Sequence, residues 1–160
     1  MAVSTTKKVR ISRFDREPLV GYVNPQTYLR INGVELLTPD GNFSLVPFDE
    51  VKAVQFVRDF ESADAGQERK VFATRPKMDG LWVRVKFRDG EVIDGILANN
   101  LLLLEPQGFS LVPPDPYSNN QRLFLPRLAL REVQVLGVVG SPLRPRKQKG
   151  TPKEQIGLFD

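Results

Sequence analysis

The sequence contains no histidine and no cysteine. The commonest general base and the commonest metal ligand are therefore missing, as are thiolate nucleophiles, thiolate zinc sites and disulfides. What remains for catalysis is oxygen chemistry, and its spacing does not converge. The acids stand singly beside turns, not grouped as a cation cage requires. Ser44 and Ser110 occupy alternating strand positions inside two FSLVP segments, with no base in the pattern to activate either hydroxyl. Glycines are dispersed one at a time, so no phosphate-cradling loop is spelled out. Asp40-Gly41 and Asp89-Gly90 read as turn chemistry. The expectation is a protein that is not an enzyme and that needs no metal or organic cofactor.

The elements that would position any binding residue are short strands. In residues 83–97, VRVKFRDGEVIDGIL, Val83, Val85 and Phe87 alternate with Arg84, Lys86 and Arg88, the period of a half-buried strand. Asp89-Gly90 suits a two-residue hairpin turn, which would set Arg88 opposite Glu91 and Phe87 opposite Val92. Gly95 interrupts the returning strand, where a sharply bent strand needs a residue without a Cβ. A weaker copy precedes it. Setting Gly21 on Gly95 brings Val9-Arg10-Ile11 onto Val83-Arg84-Val85, Asp15 onto Asp89 and Glu17 onto Glu91. Further on, LLTPDGNFSLVP (residues 36–47) matches LLEPQGFSLVP (residues 103–113) with one deletion, and VKAVQFV (51–57) matches LREVQVL (130–136). The first copy has Arg16 where Gly90 sits and Pro18 where Val92 sits, so its first hairpin is expected to be looser and to lie at an edge. The expected organisation is a copy in residues 1–58, a charged linker in 59–80 with a short helix near 63–70, a second copy in 81–139, and a Pro-, Gly- and Lys-rich tail in 140–160, disordered in isolation.

Hydrophobic residues make up 41% and charged residues 26% of the 160-residue chain, ordinary values for a globular protein. The net charge of +4 is unevenly placed. Residues 137–160 hold five basic and two acidic groups, leaving 18 basic against 17 acidic in the rest, so the folded part is nearly neutral. That argues against a barrel acting as a phosphate trap. The densest apolar run, residues 101–104, is four residues long, far short of a membrane span, and the MAVSTTKKVR start has no apolar signal core. A cytoplasmic location without membrane association is expected.

Each copy reads as alternating strand, turn, strand with a bend glycine, two short strands, then a Pro-led turn into a last strand. This resembles the Sm-like and wider SH3-like small β-barrel families, through the pattern Val83, Val85, Phe87, Asp89, Gly90, Gly95 and Leu97 and the closing LFLPRLALREVQVL. The resemblance implies an all-β chain of two tandem small barrels followed by the basic tail. In Sm-like proteins RNA is held by the loop after the bent strand and by the turn before the last one, and the matching positions here are Asn99, Asn100 and Arg127. Of the family's loop motif only Asn100-Leu101 is present, and Asp49-Glu50 put two carboxylates at the second turn of the first copy. Nucleic-acid binding, assisted by Arg144, Arg146, Lys147 and Lys149 of the tail, is accordingly the second reading.

The first reading rests on the tail. Gln155-Ile156-Gly157-Leu158-Phe159 resembles the peptide by which many bacterial proteins dock on the DNA-polymerase sliding clamp. The resemblance implies that Leu158 and Phe159 enter an apolar pocket with Ile156 beside them, while the Gln155 amide hydrogen-bonds at the rim. The expected function is that of an interaction or adaptor protein with a protein partner, of undetermined oligomeric state.

Overall fold

The computed structural model describes residues 5–60, 70–114 and 120–140. Runs in which β-branched and aromatic residues alternate with charged ones become strands, because a pleated strand turns successive side chains to opposite faces. Ten form among the described residues: β1 (Lys7–Arg13), β2 (Leu19–Val23), β3 (Gly33–Leu37), β4 (Phe43–Pro47), β5 (Val51–Val57), β6 (Gly80–Phe87), β7 (Val92–Leu97), β8 (Gly108–Leu111), β9 (Asn120–Pro126) and β10 (Leu130–Val139). Two single-turn 3₁₀ helices, Leu101–Leu103 and Arg127–Ala129, are the only helices among the described residues. None is long and apolar enough to cross a membrane.

The protein is all-β, as the sequence pattern implies, but its strands divide into two sheets and neither closes into a barrel. One sheet runs β4-β3-β2-β1-β5-β9-β8 and the other β10-β6-β7, with every pair antiparallel. The larger sheet thus takes five strands from before residue 59 and two from after residue 80. Ile96 and Val112 join the two sheets, exchanging backbone hydrogen bonds of 2.9 and 3.0 Å. The strands therefore follow one path in which each copy contributes the same internal order: fourth, third, second, first, fifth. Each copy stays open because its fourth and fifth strands never pair with each other. Instead β5, the fifth strand of the first copy, pairs with β9, the fourth strand of the second.

The pairing realigns the repeat. Gly33 pairs with Pro47 at one end of β3–β4, and Gly108 with Pro126 at the same end of β8–β9. GVELL therefore corresponds to GFSLV, and the identical FSLVP segments occupy different strands, the fourth in one copy and the third in the other. The bend glycines agree with this. A Cβ on Gly21 would collide with the Leu37 carbonyl oxygen, and one on Gly95 would press on Leu111 and the Val112 carbonyl oxygen. Each glycine admits the third strand of its own copy.

Two hairpin expectations change. Only Gly90 of the Asp89-Gly90 pair has a positive φ, +97°, so the turn is not the two-residue kind that needs two such residues. Gly90 N–H donates to the Phe87 carbonyl and Phe87 N–H to that of Glu91, which makes a three-residue loop. Lys86 then lies opposite Val92, and Glu91 is released from Arg88. The β1–β2 hairpin lies inside its sheet, not at an edge, since β1 also pairs with β5. Pro18 is harmless there because it precedes the first residue of β2.

The interior holds two clusters that cross the copy boundary. Phe124 of β9 is buried among Val9, Ile11, Val34, Leu36, Val54 and Phe56 of the first copy. Ala53 of β5 packs with Val83, Val85, Phe109, Leu111 and Leu125 of the second, and Phe14 lies against them. Of the expected linker, residues 61–69 and so the anticipated helix lie outside the described residues. Its two ends are docked: the Phe60 ring meets Tyr22 edge-on at 5.3 Å, and the Lys70 carbonyl accepts the Asp94 N–H at 2.7 Å.

Candidate functional site

The β5–β9 junction shows what a covered edge looks like in this protein. Val54 lies opposite Phe124, Gln55 opposite Leu123 and Phe56 opposite Arg122. The Arg122 guanidinium sits 4.3 Å from the centre of the Phe56 ring, a cation–π contact. Tyr28 meets Phe56 and Phe124 edge-on at 5.7 and 6.1 Å. Burial there pushes the Tyr28 phenol up to about 12, although the nearby Arg122 charge works against the rise.

The equivalent edges at the two ends of the strand path are uncovered. In β10, Val133, Gln134 and Val135 hold the places of Val54, Gln55 and Phe56, and pair with Val85, Arg84 and Val83 as those residues pair with Ile11, Arg10 and Val9. Val133 is 39% and Val135 59% exposed, whereas Val54 is 0% and Phe56 5%. At the other end β4 exposes Phe43 (70%) and Leu45 (46%). A shallow depression of about 360 Å³ runs along β4, lined by Phe43, Ser44 and Leu45 together with Arg30, Asn32 and Glu35. Arg30 and Glu35 close it with an ion pair of 2.7 Å.

A third apolar feature is the β7–β8 loop. The Asn100 side chain accepts the Leu102 N–H at 3.1 Å and caps the turn Leu101–Leu103, none of whose leucines is buried. Ile31, on the β2–β3 loop, is almost wholly exposed, and the two loops are linked by Gln107 Nε2 donating to the Arg30 carbonyl at 3.4 Å.

The residues singled out for nucleic acid fall around this loop. Asn100 is the cap, and Asn99, before it, is exposed. Arg127 donates its backbone N–H to Gln107 and its Nε to the Pro106 carbonyl, so it reaches the far end of the loop from the turn that leads into β10. No contact joins Arg127 to either asparagine. Arg144, Arg146, Lys147 and Lys149, and the motif residues Gln155, Ile156, Leu158 and Phe159, lie outside the described residues. Among the described residues no three His, Cys, Asp or Glu are grouped to hold a metal.

Two ionic clusters tie the β6–β7 hairpin to its surroundings. Lys52 of β5 bonds both Asp89 (2.7 Å) and Glu91 in the β6–β7 turn, Lys70 bonds Glu91 from the other side (2.6 Å), and the Lys52 ammonium stands 4.9 Å from the Phe87 ring centre. The Lys52 hydrogen bond holds the Asp89 carboxyl below its ordinary range. Burial would raise Glu91, but the bonds from Lys52 and Lys70 outweigh it and leave it lowered. For Lys52 burial pulls down and the two carboxylates push up, with a net rise. The second cluster surrounds Asp94 of β7, fully buried, which accepts from Arg84 Nε at 2.7 Å, Trp82 Nε1 at 3.1 Å and the Phe72 N–H at 3.2 Å. These bonds overcome burial and keep its carboxyl low. Asp94 is not among the sequence-based candidates, yet the register carries its signal: an acid on the Arg84 face of β7, opposite Arg84 across the pair, with Trp82 two residues along.

The described residues form an all-β framework in which two five-strand units share one strand order, with apolar side chains exposed along its open edges and on one loop. The chain belongs to DUF6982, a family of unknown function, whose pattern matches residues 5–137 and so spans both copies but not the tail. No curated protein and no solved structure matches the chain.

Proposed function

We propose that this is a non-catalytic interaction protein of the cytoplasm, in which each copy is a small barrel of the Sm-like or SH3-like kind opened between its fourth and fifth strands. The shared strand order and the Pro-led turns into β5 and β10 support the barrel reading. The observation that carries the interaction reading is the capped turn Leu101–Leu103. Ordered structure with a side-chain cap holds three consecutive leucines in solvent, which costs solubility and is repaid only when a partner covers them. The tail supplies the second docking element. Gln155, Ile156, Leu158 and Phe159 form a peptide suited to an apolar pocket with a polar rim, and the sliding clamp of DNA polymerase is the receptor that its pattern suggests.

Calorimetric titration of the full chain onto purified clamp tests this. Binding that Phe159→Ala abolishes is the expected outcome, with Leu102→Asp reducing whatever affinity the body adds. Affinity unchanged by Phe159→Ala removes the tail from the role. Nucleic-acid binding through Arg127 and its loop is the rival. It takes precedence if a chain lacking residues 141–160 binds single-stranded RNA with an affinity that falls steeply as salt is raised.

A further inference from the structure

The chain contains one completed junction between copies and two halves of another. The completed one is β5–β9. Its counterpart would join β10, the fifth strand of the second copy, to β4, the fourth strand of the first. These two strands are the opposite ends of the ten-strand path, and neither has a further strand beside it among the described residues. We propose that β10 of one molecule pairs antiparallel with β4 of a second copy of the same chain, repeating between molecules the junction that β5–β9 makes within one.

The equivalence fixes the register. Leu45 and Phe43 of β4 hold the places of Phe124 and Arg122 of β9, as the shared pairing of Gly33–Pro47 and Gly108–Pro126 requires. Transferring the observed pairs Val54–Phe124, Gln55–Leu123 and Phe56–Arg122 sets Val133 opposite Leu45, Gln134 opposite Ser44 and Val135 opposite Phe43. All four apolar residues in that register are exposed in the single chain, and in the pairing each would be covered by another of the four. The two polar residues face each other.

The strands are also built alike where pairing demands it. β5 bulges at Lys52 against β1, and β10 bulges at Arg131 against β6, so the regular stretch that follows starts at the same place in both. Sheet edges left permanently free are usually blunted by charge or proline. Arg131 and Glu132 of β10 and Pro47 of β4 stand at the borders of the contact and a second bulge of β10 falls at Leu136, while residues 133–135, Val-Gln-Val, and 43–46, Phe-Ser-Leu-Val, carry neither charge nor proline. Arg75 donates to the Val138 carbonyl at 2.5 Å, which ties down the far end of β10 but leaves 133–135 open. Because each chain offers one edge of each kind, the contact is head-to-tail, and repetition gives a closed ring or an open filament.

Light scattering on the full chain after size exclusion, over a range of concentrations, tests the proposal. The wild type is expected at several times the mass of one chain. Phe43→Asp and Val135→Asp, both at exposed positions that folding does not use, are each expected to return it to a single-chain mass. Mixing the two variants is expected to give a two-chain species and nothing larger, because one sound β4 and one sound β10 remain. Circular dichroism on each variant establishes that the fold is kept. A wild type that stays at single-chain mass up to its solubility limit overturns the proposal, as do variants whose mass is unchanged or a mixture that stays monomeric. Removing residues 141–160 is expected to leave the assembly intact. Its loss would assign self-association to the tail and overturn the edge pairing, independently of whether the tail binds a clamp.

Discussion

Strands β5 and β10 are near-copies that end in opposite environments. They share a bulge at the second residue, a Val-Gln core, and the same antiparallel register on the first strand of their copy. In β5 the strand interior is sealed; in β10 the same positions face water. The difference is the neighbour. β9 is delivered to β5 by a chain excursion of more than sixty residues, and nothing among the described residues is delivered to β10. The lesson is that burial here belongs to the pair of strands and not to either sequence. An open edge with a core-like composition is therefore a specific statement about a missing partner.

The largest test is a matched pair of truncations. Phe56→Ala removes a buried ring that meets Tyr28 and Arg122, and is expected to cost about 3–5 kcal/mol in denaturant unfolding. Val135→Ala, at the equivalent position, is expected to change single-chain stability by less than about 0.5 kcal/mol when measured at low concentration. Equal costs would show that β10 is already covered within the chain. Unfolding is also expected to occur in one transition, since Phe124 and Ala53 each sit in the other copy's core.

A second test turns on the bulge residues. Lys52 and Arg131 are equivalent, but Lys52 bonds Asp89 and Glu91, whereas Arg131 donates to the Arg88 carbonyl at 2.8 Å. Lys52→Met is expected to cost about 1 kcal/mol, because both carboxylates are partly solvated, and Arg131→Met less. The acid dependence should separate them. Asp89 and Glu91 are held below their ordinary range in the folded protein, so their contribution is complete only above about pH 5 and is lost as pH falls through the lowered values. Unfolding free energies measured between pH 7 and about pH 3 should fall less steeply for Lys52→Met than for Arg131→Met. Identical slopes would remove the ionic link between β5 and the turn.

How much of this was legible in the sequence follows the same division. Local pattern is readable: the β class, the interrupting glycines at 21 and 95, and the match between β5 and β10. The turn at Asp89 was misread because a lone positive φ at Gly90 lengthens the loop by one residue, and no composition rule separates those two turns. The identical FSLVP segments align in the sequence but occupy strands of different rank, and the equivalence lies in Gly33 and Gly108 against their prolines. That neither sheet closes is not legible in the sequence, because closure depends on which distant edge reaches which, a property of neither copy alone. Asn100 matches the family's loop by residue type, and the structure uses that same amide to cap a turn.

The smallest expected effect sharpens the comparison at one residue. Ala53 of β5 is buried against the second copy's core, and its place in β10 is taken by Glu132, exposed and opposite Lys86. If β10 receives β4 as β5 receives β9, Glu132 lies opposite Val46 at the border of the new contact, where a carboxylate must keep its water. That side chain then weakens the contact between chains relative to the contact within a chain. Glu132→Ala is then expected to tighten self-association about fivefold, roughly 1 kcal/mol, while lowering single-chain stability by only about 0.3 kcal/mol through loss of the cross-strand charge pair. Sedimentation of the two proteins across a dilution series measures the first quantity and denaturation at high dilution the second. An unchanged association constant would mean that the likeness between the two strands stops at Val133 and that the junction, if formed, is shorter than its template.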